Sequence, residues 1–237
     1  MQDKQGLLDT ITSAFVPVHR DGHKFIGIGA LVTLVFFIIW PPLGWLAAIL
    51  TLFIAYFFRD PERATPIRAG LIVAPADGRI IAVGPKVPPG EMQLGDAPMT
   101  CVSIFLSIFD VHINRAPVSG KLIRKVYTPG IFSNAASDTA GEDNERMALV
   151  ITAEGGEQVG VVQIAGLIAR RIVTFPKEGE FIQAGERIGL IRFGSRVDVY
   201  LPLNRGILVG VGQRSVAGET VLADLQSQET GRELRVS

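Results

Sequence analysis

The chain has 237 residues, with 23 acidic and 23 basic side chains, which is enough for one sizeable domain or two small ones. Its zero net charge, without a basic tail or a block of like charge, argues against a nucleic-acid partner. The single cysteine, Cys101, excludes an internal disulfide and a cysteine-based zinc site, and the three histidines argue against a histidine-rich metal site. Cys101 stands in an apolar run, so we expect a buried, unreactive thiol.

The first predicted element is an uncharged apolar stretch over residues 25–58, which follows a segment of mixed polarity, 1–24. Pro41-Pro42 divides this stretch into two arms, 25–40 and 43–58. As a helix, each arm would be about 24 Å long at a rise of about 1.5 Å per residue, whereas the hydrocarbon core of a bilayer is about 30 Å thick. The sequence therefore permits a helical hairpin that enters the membrane and returns, or one kinked helix that crosses it.

Basic residues flank both ends of the apolar stretch, with Arg20 and Lys24 before it and Arg59 and Arg63 after it. Basic flanks are retained on the cytoplasmic side of a membrane, so they favour the hairpin and a cytoplasmic segment 1–24. A cleaved signal peptide is disfavoured because no small-residue cleavage site closes the run. A hairpin buried in a protein core stays open as an alternative.

Residues 64–224 contain short apolar runs of 4 to 8 residues, separated by Gly, Pro and Asp. The runs are rich in Val and Ile, several of them alternate, and no helical period is sustained over three turns. This pattern predicts an all-β domain with frequent tight turns. Within it, the small and polar residues 130–146 predict a long loop, and the polar residues 225–237 predict a frayed tail.

The dipeptide Gly194-Ser195, which occurs once, is the most informative motif. It opens a strand-like alternation. It also places a serine hydroxyl beside the Gly194 carbonyl, which is unobstructed because glycine has no side chain. Such a site can support cleavage of the chain by itself, in which the serine becomes a new N-terminal keto group, although a lone Gly-Ser more often marks a turn. Two upstream segments accompany it, Val73-Ala74-Pro75-Ala76-Asp77-Gly78-Arg79-Ile80 and Phe109-Asp110-Val111-His112-Ile113-Asn114-Arg115-Ala116-Pro117.

In this order, the three segments resemble the short, membrane-anchored form of phosphatidylserine decarboxylase, a pyruvoyl-dependent enzyme family. The resemblance runs from about residue 16 to about residue 222 and includes Phe57-Phe58-Arg59-Asp60-Pro61-Glu62-Arg63, Asn144-Glu145-Arg146-Met147 and Val162-Gln163-Ile164-Ala165-Gly166-Leu167-Ile168-Ala169-Arg170-Arg171. It implies a mainly β protein, with a compact β-barrel or sandwich of the hybrid-motif type after the membrane-embedded hairpin. It also implies that the loop at 130–146 borders the active site.

The resemblance implies that Ser195 attacks the Gly194 carbonyl and that the chain is cut into two pieces, 1–194 and 195–237, which stay together as a heterodimer. Residue 195 would then carry a covalent pyruvoyl (pyruvate) group, without pyridoxal phosphate or a metal, and would form a Schiff base with the amine of phosphatidylserine. The products would be phosphatidylethanolamine and CO2, made at the cytoplasmic face of the cell membrane. A homo-oligomer of such pairs is compatible with the resemblance.

His112 and Asp77 are the other catalytic candidates. A serine hydroxyl becomes a nucleophile when a base takes its proton and a carboxylate orients that base. By resemblance, His112 is the base and the proton donor in decarboxylation, and Asp77 is the carboxylate. Each residue also has a structural interpretation, His112 as a core histidine bonded to a loop carbonyl and Asp77 as part of the turn Ala76-Asp77-Gly78.

The longer members of the family carry a His-x-x-His pattern, and this chain has Arg115 at the second position. Either His112 serves both self-cleavage and decarboxylation, or Arg115 or another group contributes. The substrate phosphate needs cationic partners. The candidates are Arg59, Arg63, Arg115, Arg170 and Arg171.

Two other classes of protein remain as alternatives. A membrane-anchored serine hydrolase could use Ser195, His112 and Asp77 on an external ester or peptide, but the chain has no Gly-x-Ser-x-Gly elbow. A non-catalytic anchored β-domain would need none of these side chains and would tolerate the loss of Ser195.

Overall fold

The computed structural model describes residues 16–133, 135, 143–167, 171–192 and 194–227, in two compact units that divide between Glu62 and Arg63. The first unit contains helix α1 (Arg20–Ile39) and helix α2 (Pro41–Phe57). Trp40 between them is extended, with φ of −160°. Proline is tolerated in the first turn of a helix, where its missing N–H has no helical acceptor, so α2 begins at Pro41 itself.

The two helices pack side by side through small residues. A side chain at Gly29 would lie 2.6 Å from Thr51 Oγ1, and one at Gly44 would lie 2.5 Å from the Phe37 ring. The hydroxyls of Thr33 and Thr51 are 3.3 Å apart across the interface. In lipid, no hydrophobic force drives two helices together, and helices associate instead by close packing at small residues.

The chain ends on either side of the helices also meet. The His19 N–H donates to the Phe58 carbonyl at 2.8 Å, and the Asp60 N–H donates to the Pro17 carbonyl at 2.7 Å. These bonds hold the entry and exit of the unit together, so the prediction of a helical hairpin is confirmed over that of one kinked helix.

The second unit is built from β-strands, and the mainly β prediction is confirmed. The strands described are β1 (Leu71–Val73), β2 (Gly78–Lys86), β3 (Met99–Leu106), β4 (Ile113–Arg115), β5 (Gly120–Thr128), β6 (Arg146–Ala153), β7 (Gln158–Ala165), β8 (Ile172–Thr174), β9 (Phe181–Ile182), β10 (Arg187–Ile191), β11 (Ser195–Leu201), β12 (Gly206–Ile207), β13 (Arg214–Ser215) and β14 (Val221–Asp224). A 3-10 turn at Gly90–Met92 precedes β3. Leu225, just after β14, is buried and its N–H donates to the Gly70 carbonyl.

The strands form three antiparallel sheets. The largest has eight strands in the order β13-β2-β3-β11-β7-β6-β5-β9, curled into a half-barrel, and the others have the orders β4-β10-β8 and β1-β14-β12. Strand β11 lies inside the large sheet, paired with β3 and β7, and all seven of its residues are buried. Val197, Val199 and Leu201 face the main hydrophobic core, and Tyr200 faces a second cluster on the other side of the sheet.

Candidate active site

Gly194 and Ser195 lie at the point where β11 begins. Gly194 has φ of +66°, a conformation that glycine adopts without the steric cost of a side chain. Ser195 is paired with Leu106 on β3 and with Ala165 on β7. Its side chain is 0% exposed, and its Oγ has no hydrogen-bond partner in the described part of the chain. An unpartnered buried hydroxyl costs about 1–3 kcal/mol, so the presence of Ser195 here calls for an explanation.

His112 lies against the Gly194–Ser195 segment. Its Nδ1 is 2.9 Å from the Asp110 carbonyl oxygen, which can only accept, so Nδ1 carries the proton and Nε2 is left as an acceptor. The Gly194 N–H donates to Nε2 at 3.3 Å. His112 is therefore a buried histidine bonded to a loop carbonyl, and the same bond aims its basic nitrogen at the residue before Ser195.

Asp110 holds the loop that carries His112. One carboxylate oxygen accepts from the Ser107 N–H at 2.8 Å and from the Ser107 hydroxyl at 2.7 Å, and the other is bonded to Arg214. Asp110 had no predicted role. The Ser-x-x-Asp spacing, which favours such local turns, was the available signal.

The carbonyl of Gly194 lies against the backbone of Gly166. A methyl group at residue 166 would overlap the Gly194 carbonyl oxygen and would also lie 3.2 Å from the Ala135 side chain. Only glycine leaves that carbonyl in place. Gly166 belongs to the segment 162–171 that carries part of the family resemblance, but its contact with Gly194 joins distant parts of the chain and could not be predicted from that segment alone.

The predicted loop at 130–146 reaches the same place through the residues that the structure describes. The Asn144 side chain donates to the Ala165 carbonyl at 2.7 Å and to the Ser133 carbonyl at 3.0 Å. Ala165 is the strand partner of Ser195, so these hydrogen bonds hold the loop next to Gly194-Ser195. Residues 134 and 136–142 lie outside the described residues.

Asp77 lies in the turn before β2, at the same end of the large sheet. Arg63 donates to one carboxylate oxygen and the Ala217 N–H to the other, both at 2.7 Å. Arg79 pairs with Phe105, one residue before the partner of Ser195, so the Asp77 turn lies about two strand spacings from Ser195, on the order of 10 Å. The turn interpretation of Asp77 fits these bonds, and its catalytic role stays a prediction.

The predicted phosphate-binding arginines have different surroundings. Arg115 is 6% exposed, and its guanidinium donates to the Gly185 carbonyl at 2.8 Å. Arg171 is exposed, and Arg170 lies outside the described residues. Of Arg115, Arg170 and Arg171, only Arg171 has a described side chain that a ligand could reach from solvent.

A charged cluster lies behind β11, on the face opposite Val197. Arg196 donates to both carboxylate oxygens of Asp198, at 2.6 and 2.7 Å, and both residues are buried. Burial, with a further contribution from Asp198, raises the pKa of the Cys101 thiol to about 12. A thiol with that pKa is protonated at neutral pH, so the prediction of a buried, unreactive cysteine is confirmed.

The family model described as phosphatidylserine decarboxylase matches residues 50–223, a range that contains Asp77, His112 and Ser195. A protein named phosphatidylserine decarboxylase proenzyme, from Nitrobacter winogradskyi, is 55% identical over 228 residues, which cover 96% of this chain and 92% of that protein.

Proposed function

Because the chain belongs to the phosphatidylserine decarboxylase family, we propose that it makes a pyruvoyl group by cutting itself between Gly194 and Ser195. The enzyme decarboxylates phosphatidylserine to phosphatidylethanolamine and CO2, a step of phospholipid biosynthesis. The observation that carries the proposal is the buried Ser195 hydroxyl, which lacks a partner in the described structure and lies beside the residue that His112 contacts.

Self-cleavage begins with transfer of the Ser195 hydroxyl proton to His112 Nε2 and attack of Oγ on the Gly194 carbonyl carbon. The C–N bond breaks as His112 passes the proton on to the nitrogen of residue 195, and an ester with a free amine replaces the peptide. A base then removes the α-hydrogen of residue 195, and the bond between Cβ and Oγ breaks to leave a Gly194 carboxylate and a dehydroalanine. Addition of water and loss of ammonia convert the dehydroalanine into the pyruvoyl group.

The residues present fit that group. Residue 195 has neighbours on both sides in the sheet, Leu106 and Ala165, which would hold the new N-terminus in place. When present, the group supplies an electron sink for the electron pair that remains when CO2 departs. The contribution of the chain itself is to exclude bulk water and to hold a proton at His112, 2% exposed, for return to the product carbon.

The two pieces would stay associated because their strands share sheets. Strand β11 of the piece 195–237 lies between β3 and β7 of the piece 1–194. Strand β13 pairs with β2, and β14 pairs with β1. Separation would expose unpaired strands on both pieces, which supports the proposed heterodimer.

The proposal predicts a specific mass pattern for the purified, denatured protein. Instead of one chain of 25.5 kDa, intact-mass spectrometry should show a piece ending at Gly194 and a piece of residues 195–237. The smaller piece should lack a free N-terminal amine and carry the pyruvoyl mass. An uncut chain in a preparation with full decarboxylase activity would contradict the proposal.

The serine hydrolase alternative is less well supported. It requires an external substrate to reach an intact Ser195, which is 0% exposed at the inside of the sheet. Internal attack on Gly194 needs no such access. Scission would also release Gly194 from its peptide link to β11 and so open a path to residue 195.

We further propose that the hairpin anchors the enzyme in the cell membrane from the cytoplasmic face. Among the described residues, Arg20–Ile39 is the helix long and apolar enough to cross a membrane, and Pro41–Phe57 is a shorter apolar helix. The 20 residues of α1 reach about 30 Å, the thickness of the hydrocarbon core. The two ends of the hairpin lie together and carry Arg20 and Arg59, as expected if both ends stay on the cytoplasmic side. The turn carries Trp40, a residue type that is common at membrane interfaces.

The tryptophans give a test of this anchoring, because the chain has two, Trp40 and Trp45, and both lie at the hairpin turn. They are 55% and 66% exposed within their unit. In lipid vesicles we expect blue-shifted emission, protection from external iodide and quenching by lipids brominated on their acyl chains. Single Trp→Phe variants separate the two signals. Full quenching by iodide with no effect of bromolipid would show that the turn lies outside the bilayer.

A further inference from the structure

Asn114, two residues after His112, is a buried polar side chain that the mechanism above does not use. It is 0% exposed, and its Oδ1 accepts from Gln163 Nε2 at 2.7 Å. Gln163 Oε1 in turn accepts from the Thr174 hydroxyl at 3.2 Å. With Gln163 in this orientation, a flip of the Asn114 amide would place two NH2 groups against each other, so Oδ1 is the atom that faces Gln163.

The remaining donor of that amide, Nδ2, has no hydrogen-bond partner within the described residues. A buried donor without an acceptor destabilises the folded chain and calls for an explanation. Ser195 Oγ is a second buried atom in the same condition. Asn114 Nδ2 can only donate a hydrogen bond, and Ser195 Oγ is an oxygen that can accept one.

The register of the strands places Asn114 and Ser195 at the same face of the large sheet. His112 contacts Gly194 at the start of β11, and Asn114 contacts Gln163, the β7 partner of Val197. Ser195 lies between Gly194 and Val197 along the strand and shares a face with Val197, because alternate residues of a strand point the same way. The Ser195 hydroxyl therefore faces the segment that carries His112 and Asn114.

We propose that Asn114 Nδ2 donates a hydrogen bond to Ser195 Oγ during self-cleavage, which makes Asn114 a further catalytic residue. The inference rests on the self-cleavage proposed above. In the ester, Oγ joins Cβ of residue 195 to the Gly194 carbonyl carbon. When a base takes the α-hydrogen, the C–H electron pair forms the Cα–Cβ double bond, and the pair of the Cβ–Oγ bond goes to Oγ, which becomes a carboxylate oxygen of Gly194.

Negative charge thus develops on Oγ, and a fixed donor in a water-excluded site stabilises such charge most strongly. Removal of one such donor typically slows a reaction by about 100-fold or more. The variant Asn114→Asp keeps an oxygen for Gln163 and loses the donor, and Asn114→Leu loses the donor without adding charge. Thr174→Val is the matched control, because it breaks the far end of the same chain of bonds and leaves the Asn114 donor intact.

The experiment follows the fraction of cut chain with time, by intact mass, with and without hydroxylamine. Hydroxylamine cleaves an ester to give a Gly194 hydroxamate and a free Ser195 N-terminus. We expect both Asn114 variants to form the pyruvoyl group about 100-fold more slowly and to accumulate an ester that hydroxylamine cuts. The control should process within a few-fold of the wild-type rate.

Normal processing of both Asn114 variants, with the wild type cut, would overturn the role of Asn114 and leave self-cleavage standing. Slow processing without a hydroxylamine-sensitive ester would also overturn it, because a merely structural defect does not accumulate the ester. A wild-type chain that stays whole under conditions of full activity would instead remove the proposed function itself.

Discussion

Replacement of Ser195 by alanine is expected to leave one uncut chain of 25.5 kDa without detectable decarboxylase activity. The substitution removes the attacking oxygen and, with it, the atoms from which the pyruvoyl group is made. The variant should still fold, because the lost hydroxyl makes no hydrogen bond within the described structure and a methyl group fits the apolar face it points to. Denaturing mass spectrometry measures the cut, and release of CO2 from carboxyl-labelled phosphatidylserine measures the activity.

Ser103→Ala is the matched control for this experiment. Ser103 is also a buried serine, 2% exposed, on the neighbouring strand β3, where it contacts the Cys101 sulfur at 3.7 Å. Its loss should leave both cleavage and activity intact. A Ser195→Ala chain that is cut after Gly194, or that still releases CO2, would show that another residue supplies the cofactor.

Much of the fold could be predicted because it follows from local pattern. Short apolar runs between turn residues predicted an all-β domain, and the basic flanks of the uncharged stretch predicted a hairpin. The predicted second arm begins at residue 43, whereas the structure has Trp40 between the helices and α2 begins at Pro41. Helix α1 also begins earlier than the apolar arm, at Arg20, because His19 caps it by accepting from the Asp21 N–H.

The sequence pointed to Gly194-Ser195 as the proposed cleavage site, but it did not predict most of the contacts that surround this dipeptide. Gly194-Ser195 is a local chemical signature. Gly166 and Asn114 contact parts of the chain that are far away in sequence, and the register of the strands decides such contacts. The partly buried ion pair of Asp77 with Arg63 is another contact that the sequence did not predict, because the sequence suggested Arg63 as a partner for lipid phosphate.

His112 is expected to be the second residue whose loss stops processing. Replacement by alanine removes the acceptor nitrogen that contacts Gly194, and loss of a general base typically slows a reaction by about 100- to 10,000-fold. His23→Ala is the matched control, because His23 is an exposed histidine of α1 that bonds only locally, to the Val18 carbonyl. It should be processed at the wild-type rate.

The cavity left by His112→Ala allows its two proposed roles to be separated. Free imidazole can enter a space of its own size and replace the missing base, so we expect added imidazole to restore self-cleavage. After dialysis, the cut variant would carry the pyruvoyl group without the histidine. If His112 also returns the proton in decarboxylation, this protein should be inactive until imidazole is added again. Full activity after dialysis would limit His112 to self-cleavage and transfer the second step to another group, with Arg115 the first to test.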